Sequence, residues 1–309
     1  MHRTVSRRHF VRHATGLALS AAIARQADAA DNLPLIVDCH AHIYGQDEKK
    51  YPTIDQPYRP PQGTGTVAHL QREMQANGVR YVTAIQTSTF YRWDNRFTID
   101  SARADKDSMV AVCTLDPDDE NSSSLLEEYV RGGSVRGMRS VPARSGRLDD
   151  PGVENLWAMA ERLGIIINVL ANREKRREIE KLARQFPRLQ VVIDHCLNIK
   201  SGAEMGPTVQ DMVALARLPN VHAKLSFIPT GSAEDYPCRD MHAACLRIIG
   251  AFGPQRCVWG SGFPCELWCP KVTYTQHLRI FTKELGLNAP SQREILGGTA
   301  QRLWFRQLG

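Results

Sequence analysis

Residues 35–42 read LIVDCHAH, an apolar run that leads into two histidines. Its continuous aliphatic character predicts a strand buried on both faces over residues 35–39. An open doubly wound sheet usually carries a glycine-rich phosphate loop of the form GxGxxG after its first strand. No such loop follows residue 39, and the stretch therefore favours a closed barrel.

The rest of the chain repeats this pattern at regular intervals. Seven further strand-like runs lie at residues 81–86, 109–115, 135–141, 165–170, 191–195, 222–227 and 257–261. Amphipathic helical stretches alternate with them at residues 67–76, 125–131, 153–163, 174–186, 209–218 and 241–252. Eight βα units in about 280 residues have the size of one (β/α)8 TIM barrel of class α/β. Helices over residues 271–285 and 292–305 are predicted to extend the barrel at its C-terminal end.

The first 29 residues differ from this barrel pattern. The basic segment SRRHFVR at residues 6–12 precedes an uncharged run at 14–24 and the small residues ADA at 27–29. This order is typical of a twin-arginine signal peptide cleaved after Ala29. We expect residues 1–29 to be removed and residues 30–309 to form a periplasmic barrel; a basic helix that stays attached is the alternative. No later segment approaches the ~20 apolar residues of a membrane span, and the mature form is not expected to enter a membrane.

The net charge comes mostly from this N-terminal segment. The chain has 39 Lys and Arg against 33 Asp and Glu, a net charge of +6. Residues 1–29 contain five Arg and one Asp, so the remainder has 34 minus 32, or +2. A nucleic-acid partner would need a basic patch in the mature domain, and none is evident. A small-molecule partner is therefore expected.

Charged and imidazole side chains follow the strand-like runs, where the active sites of such barrels lie. Alternation along residues 38–42 points Asp38, His40 and His42 to the same side, so both imidazoles can meet one divalent ion and Asp38 can orient one of them. The sixth run ends in Asp194 and His195, which predicts a third imidazole at the mouth with Asp194 turned outward. A single histidine could equally be a hydrogen-bonded structural residue. Three at strand ends, two of them as HxH, favour a metal site.

Six motifs occur in order: DCHAH (38–42), VRGMRS (135–140), VVIDHC (191–196), NVHAKLS (220–226), VWGSGFP (258–264) and ILGGTAQRLW (295–304). Together they resemble the amidohydrolase superfamily, in its amidohydrolase-related branch of barrel-fold metal-dependent hydrolases. The resemblance implies a divalent metal, with zinc as the expected ion, on His40, His42 and His195, although some lactonases of the branch need none. The branch includes decarboxylases of aminocarboxymuconate type and lactonases acting on sugar lactones or pyrone dicarboxylates. Several relatives associate through barrel helices, which leaves a homo-oligomer open.

One position departs from the resemblance. Relatives end the eighth strand with GSD[FY]P, and that Asp approaches the metal and takes the proton of the attacking water; here the match is GSGFP, with Gly262 in its place. Glycine supplies neither a ligand nor a base. Either the chain binds a ligand without turnover, or Gly262 is a substitution acquired in this copy, or a nearby carboxylate has taken over. Glu266, four residues on in the following loop, is the candidate for that last role.

Basic and amide groups near the strand ends predict an acidic substrate. Arg139 ends the fourth run and Arg144 follows in the loop, and guanidinium groups suit carboxylates. Lactonases of the branch hold an acidic substrate with two arginines six residues apart; the interval here is five, so the correspondence is open. Asn168 near the end of the fifth run and Lys224 in the seventh are further candidate substrate ligands.

These residues predict a hydrolase that opens a lactone or cyclic ester of a carboxylated small molecule by attack of an activated water. The metal would polarise the carbonyl and lower the pKa of the water. A non-oxidative decarboxylase is the enzyme alternative. A catalytically impaired homologue that only binds ligand is the alternative that Gly262 supports.

Overall fold

The computed structural model describes residues 34–306. The predicted signal peptide lies outside these residues, and its cleavage stays a prediction. Eight parallel strands follow one another around the sheet in chain order: β1 Val37–Ala41, β2 Tyr81–Ile85, β3 Met109–Thr114, β4 Val135–Ser140, β5 Ile166–Val169, β6 Val191–Ile193, β7 Val221–Lys224 and β8 Cys257–Val258. The predicted (β/α)8 barrel is confirmed.

The ring of strands is closed between β1 and the segment after β8. The amide of Cys39 donates to the carbonyl of Trp259, and the amide of Gly262 donates to the carbonyl of His40. This segment was predicted to be strand as far as residue 261, but the ladder of β8 with β7 ends at Val258, and the chain then turns to β1. Gly260 allows this close approach, because a Cβ at residue 260 would lie 2.6 Å from Cβ of His40.

Helices connect the strands and cover the barrel. The longer ones are Val67–Ala76, Arg96–Ala104, Ser122–Arg131, Pro151–Leu163, Arg176–Gln185, Met205–Leu215 and His242–Phe252. The C-terminal part contains Tyr274–Arg279, which continues as a π-helical segment Ile280–Glu284, and then Ala289–Arg293, Glu294–Gly298 and Thr299–Trp304. No helix among residues 34–306 has the length and apolar character needed to cross a membrane.

The strands have one apolar layer on their outer face and a second on their inner face. The larger lies between the strands and their covering helices and includes Leu70, Trp157 and Met212. The smaller joins residues of six strands to the C-terminal Trp304 and Phe305. Since side chains from opposite strands can meet only inside a barrel, this smaller layer fills the interior. The polar residues described next lie at the carboxyl ends of the same strands.

Candidate active site

A cavity of about 630 Å³ opens at the carboxyl ends of the strands. The residues that line it include His40 from β1, His42 directly after β1, Arg139 from β4, His195 after β6 and Gly262 after β8. The structure thus brings together five of the residues that the sequence singled out. This is the end of the barrel at which enzymes of this fold carry their chemistry.

His40 is held between two cationic side chains. Its Nε2 lies 3.2 Å from Nη2 of Arg139, and its Nδ1 lies 3.4 Å from Nζ of Lys224. The ring of His195 packs edge-on against it, with centroids 4.5 Å apart, and the ring of His42 lies at 5.0 Å. The three imidazoles are therefore neighbours, as predicted from the strand ends.

Asp194 points into the barrel, and its predicted outward orientation is wrong. The strand β6 alternates, and Asp194 shares the side of Val192, which belongs to the interior layer. Its carboxylate is fully buried and ion-paired with Lys224 at 2.7 Å and with Arg139 at 3.2 Å. Asn168 Nδ2 donates a further hydrogen bond to it at 3.2 Å.

This network assigns structural partners to three predicted substrate ligands. Lys224 and Asn168 are completely buried and contact Asp194, and neither lines the cavity. Arg139 both contacts Asp194 and lines the cavity. Burial raises the pKa of Asp194, but Lys224 and Arg139 outweigh burial and hold this pKa at about 2. The carboxylate is therefore ionised at neutral pH.

Burial lowers the pKa of all three cavity histidines. The pKa of His195 falls to about 4, with Arg139 and Lys224 adding to the effect of burial against the opposing charge of Asp194. The pKa values of His40 and His42 are also well below the usual range for histidine, again mainly through burial. All three imidazoles are neutral at neutral pH and can accept a hydrogen bond.

The hydrogen bonds of His42 fix the position of its proton. Its Nδ1 lies 2.9 Å from the carbonyl oxygen of Ile85, which can only accept, so Nδ1 carries the proton. The lone pair is then on Nε2, for which residues 34–306 provide no hydrogen-bond partner. Because His42 lines the cavity, this nitrogen can accept a proton or hydrogen bond from a bound molecule.

A left-handed turn places His195. Residues 195 to 198 have φ angles of 51°, 48°, 63° and 56°, a conformation that costs roughly 1–2 kcal/mol per residue for side chains larger than glycine. Ser226 Oγ lies 2.9 Å from Nδ1 of His195 and holds the ring. Leu197 and Asn198 from the same turn also line the cavity. Four consecutive strained residues at a site mark a functional segment.

Asp38 orients the backbone rather than an imidazole, contrary to the expected role. Its carboxylate accepts hydrogen bonds from the amide and hydroxyl of Ser261, from Tyr274 Oη at 2.9 Å and from the amide of His40. These bonds join β1 to the segment that closes the barrel. Asp38 therefore positions His40 through the main chain.

Two further candidates lie outside the cavity. Arg144, in the loop after β4, is exposed, and its amide donates to the carboxylate of Asp118 in the loop after β3, so it does not form a clamp with Arg139. Glu266 is 45% exposed, and its carboxylate lies 3.8 Å from Nε2 of His69. Glu266 lies in the short helix Cys265–Trp268 after Pro264 and does not line the cavity. The position of Glu266 outside the cavity does not support the alternative in which it replaces the missing Asp.

The cavity wall includes residues that the sequence did not single out. Thr87 after β2, Arg173 after β5 and Lys200 after β6 line it. Arg173 is ion-paired with Glu204 and Asp211, whereas Lys200 has no ion pair within residues 34–306. All three residues follow the carboxyl end of a strand. This position in the sequence is the feature from which they could have been predicted as cavity residues.

An aromatic residue covers one side of the cavity. Trp268 lines it, with its ring centroid 5.3 Å from that of His42. Tyr58 packs on the outer side of Trp268 at 5.1 Å. Phe90 and Tyr91 pack against each other and against Tyr44 and Tyr51 of the first loop.

The predicted metal ligands do not fit a divalent ion. Within residues 34–306, no group of three or more His, Cys, Asp or Glu side chains is placed to hold a metal. The lone pair of His40 Nε2 meets the Arg139 guanidinium instead. Gly262 also supplies no carboxylate at the strand end.

The chain belongs to the amidohydrolase family, whose model matches residues 37–306. L-Fucono-1,5-lactonase from Burkholderia ambifaria is 24% identical over 239 residues, covering 74% of this chain and 80% of the lactonase. This membership and this relative indicate a hydrolase.

Solved structures of related barrels agree with the fold. A protein from Pseudomonas putida assigned as a 2-pyrone-4,6-dicarboxylic acid hydrolase has a TM-score of 0.75 at 20% identity, covering 90% of this chain and all of that one. A zinc-bound amidohydrolase from Burkholderia multivorans has a TM-score of 0.71 at 20% identity, covering 87% and 98%. The 5-carboxyvanillate decarboxylase of Sphingomonas paucimobilis matches with a TM-score of 0.61 at 15% identity, covering 88% and 98%.

Proposed function

We propose that this amidohydrolase opens the ring of a small lactone by adding water. The observation that carries the proposal is the pairing of a neutral His42, with its Nε2 lone pair available, and the Arg139 guanidinium in one cavity. A hydrolase of cyclic esters needs a proton acceptor for water and a positive group for the carbonyl oxygen. The lactonase relative supports this choice of reaction class.

In the proposed reaction, His42 Nε2 accepts a proton from the attacking water while the oxygen of that water forms a bond to the lactone carbonyl carbon. Arg139 donates a hydrogen bond to the carbonyl oxygen, on which negative charge develops. The bond between the carbonyl carbon and the ring oxygen then breaks, and the proton on His42 passes to the leaving oxygen. One lactone and one water give one hydroxy acid.

The substrate could be a carboxylated lactone or an uncharged sugar lactone, and different cavity residues would bind each of them. The predicted pair of Arg139 and Arg144 cannot clamp a carboxylate, since Arg144 lies outside the cavity. A carboxylated lactone could bind Lys200, a cation that lines the cavity and has no ion pair within residues 34–306. For a sugar lactone, the polar side chains of Thr87, Asn198 and Thr230 line the cavity instead.

The test is hydrolysis of a panel of sugar lactones and pyrone carboxylates by the wild-type chain and a His42→Gln variant. We expect kcat to fall at least ~100-fold in the variant, the usual contribution of a positioned acid or base. His242→Gln, on the outer helix His242–Phe252, is the matched control and should retain full activity. Retention of more than a tenth of kcat in His42→Gln would contradict the role of His42. Release of CO2 from aromatic acids, without lactone hydrolysis, would favour the decarboxylase alternative.

Export by the twin-arginine route remains part of the proposal. It rests on residues 6–29 of the sequence alone. N-terminal sequencing of protein from the periplasm should give Ala30 as the first residue. An intact Met1 in that material would contradict cleavage.

A further inference from the structure

The lone pair of His40 Nε2 is already engaged. Arg139 Nη2 lies 3.2 Å from it, and a guanidinium group has donors but no acceptor. Lys224 Nζ, which also has donors only, lies 3.4 Å from Nδ1 of the same ring but already donates to Asp194 at 2.7 Å. The shorter contact therefore assigns the one acceptor nitrogen of the ring to Nε2, facing Arg139. A metal ion would need the same lone pair, since imidazole binds metals through an unprotonated nitrogen.

The distance leaves no place for an ion beside the guanidinium. Zinc lies about 2.0–2.1 Å from a histidine nitrogen. At that distance along the His40 lone pair, the ion would fall between Nε2 and Arg139 Nη2. Two cations so close repel each other strongly in a buried site. Binding through His40 would require the guanidinium to leave.

The guanidinium is held firmly. Arg139 Nε and Nη2 both lie 3.2 Å from Oδ2 of Asp194, and the Arg139 side chain is 4% exposed. Asp194 is fixed in turn by Lys224 and Asn168. Moving Arg139 away would remove one partner of a buried ion pair, which is strongly unfavourable.

No nearby carboxylate compensates for the charge of an added ion. Asp194 is shared between Arg139 and Lys224. Gly262, which lines the cavity, supplies no carboxylate. A divalent ion would meet two cations and neutral imidazoles, a poor environment compared with sites that include carboxylates.

We infer that Arg139 takes the place of a metal ion in this cavity. Its Nη1, the Arg139 nitrogen for which residues 34–306 provide no partner, offers a hydrogen bond to a carboxylate or carbonyl oxygen. His40, His42 and His195 do not bind a divalent cation while Arg139 is present. This inference concerns the cavity itself and goes beyond the proposed reaction.

The experiment measures zinc uptake by the full-length chain, purified with a histidine-free tag. Wild type, Arg139→Gln and Arg144→Gln are treated with EDTA, incubated with zinc chloride, desalted and analysed for zinc content, and the Kd is measured by titration calorimetry. Glutamine removes the charge and can still donate a hydrogen bond to Asp194. Arg144 lies outside the cavity and serves as the matched control.

We expect less than about a tenth of an equivalent of zinc in wild type and Arg144→Gln. Arg139→Gln should bind zinc at least tenfold more tightly than wild type, and adding His40→Ala and His42→Ala to it should abolish the gain. One equivalent of zinc in wild type, lost on changing His40 and His42, would overturn the inference even if Arg139→Gln does not fold. Equal affinity in wild type and a folded Arg139→Gln would also overturn it.

The two proposals fail independently. A zinc-free wild type that hydrolyses no lactone would contradict the proposed function and leave the inference standing. A wild-type protein that binds zinc and hydrolyses lactones would contradict the inference about Arg139 and leave the proposed function standing. Metal content and product formation are therefore measured on the same preparations.

Discussion

Lys224 and Asp194 form an ion pair at the centre of the barrel, with Nζ 2.7 Å from Oδ1 and both side chains completely buried. The carboxylate also binds Arg139, which reaches His40. A buried charge must be compensated by its neighbours. The pair therefore supports the barrel interior and the position of the cavity guanidinium together.

Replacing Lys224 by Met should destabilise the fold. The change leaves Asp194 with one cation instead of two, and removing one partner from a buried pair costs about 3 kcal/mol. Chemical denaturation gives the free energy of unfolding. Lys200→Met is the matched control, since Lys200 is exposed, and should change stability by less than about 0.5 kcal/mol. Equal stability of the two variants would show that the pair does not hold the interior together.

The contact of Tyr274 with Asp38 leads to a second stability prediction. Tyr274 Oη donates to the carboxylate of Asp38 over 2.9 Å, in a buried region that joins β1 to the barrel closure. Tyr274→Phe removes this bond without a large change of volume and should cost about 1.5–3 kcal/mol. Tyr58→Phe, at a side chain that is half exposed, should have almost no effect. A loss below 0.5 kcal/mol at Tyr274, on the order of a surface change, would refute this account of the closure.

The fold could be predicted because its signals are local. Apolar β-branched runs marked every strand, and the helix Val67–Ala76 occupies the residues expected, with Thr66 capping it through the amide of His69. The end of β8 differed from the prediction. After Val258 the chain stops pairing with β7 and pairs with β1. This change of partner depends on residues of β1 that are distant in sequence, so the local pattern does not reveal it.

The sequence predicted that the three histidines of the candidate site lie together, but it did not predict the ion pairs beside them. Strand ends converge in a barrel, so His40, His42 and His195 could be placed together from spacing alone. The pairing of Arg139 with Asp194 depends on two strands that are distant in sequence, and no local pattern reveals it. The sixth strand was predicted to extend to residue 195, but a left-handed turn begins there. His195 therefore lies at a different position from the one that a continuing strand would give it.

Acidification should destabilise the protein through its buried histidines. Burial lowers the pKa of His277 to about 4, and Trp259 Nε1 donates to its Nδ1 at 3.0 Å, which opposes protonation there. In the unfolded chain the pKa is about 6.5. The unfolded state thus binds a proton first as the pH falls, so stability is full above pH 6.5 and decreases toward pH 4. The loss from this residue is about 3 kcal/mol.

The contribution of His277 is measured as a difference in pH dependence. Free energies of unfolding at several values between pH 7 and pH 4 are compared for wild type and His277→Gln. The variant should lose about 3 kcal/mol less than wild type over this range, because one proton fewer is taken up on unfolding. His242→Gln serves as the control variant. Parallel curves for wild type and His277→Gln would contradict the assignment.

Introducing an acid at residue 262 tests whether a carboxylate there adds to the reaction. Gly262 has φ of 67°, and a Cβ there would meet only Cys269 Sγ, at 3.9 Å. Asp and Asn tolerate this left-handed conformation better than other side chains, so both variants should fold with a loss of roughly 1–2 kcal/mol. Because Arg139 remains beside His40, Gly262→Asp should not bind zinc. With His42 as proton acceptor, its kcat/KM should stay within about tenfold of wild type, less than the usual contribution of an acid or base.

Gly262→Asn separates the charge at residue 262 from the strain, since it has nearly the same size and backbone preference. Similar kcat/KM in the Asp and Asn variants would mean that the carboxylate adds no chemistry to this cavity. A rise of ~100-fold in Gly262→Asp alone would match the gain from a newly placed general base. It would show that the missing acid limits the reaction, and the assignment of His42 as the sufficient proton acceptor would be wrong. Zinc content measured on both variants decides whether such a gain needs a metal or only the added carboxylate.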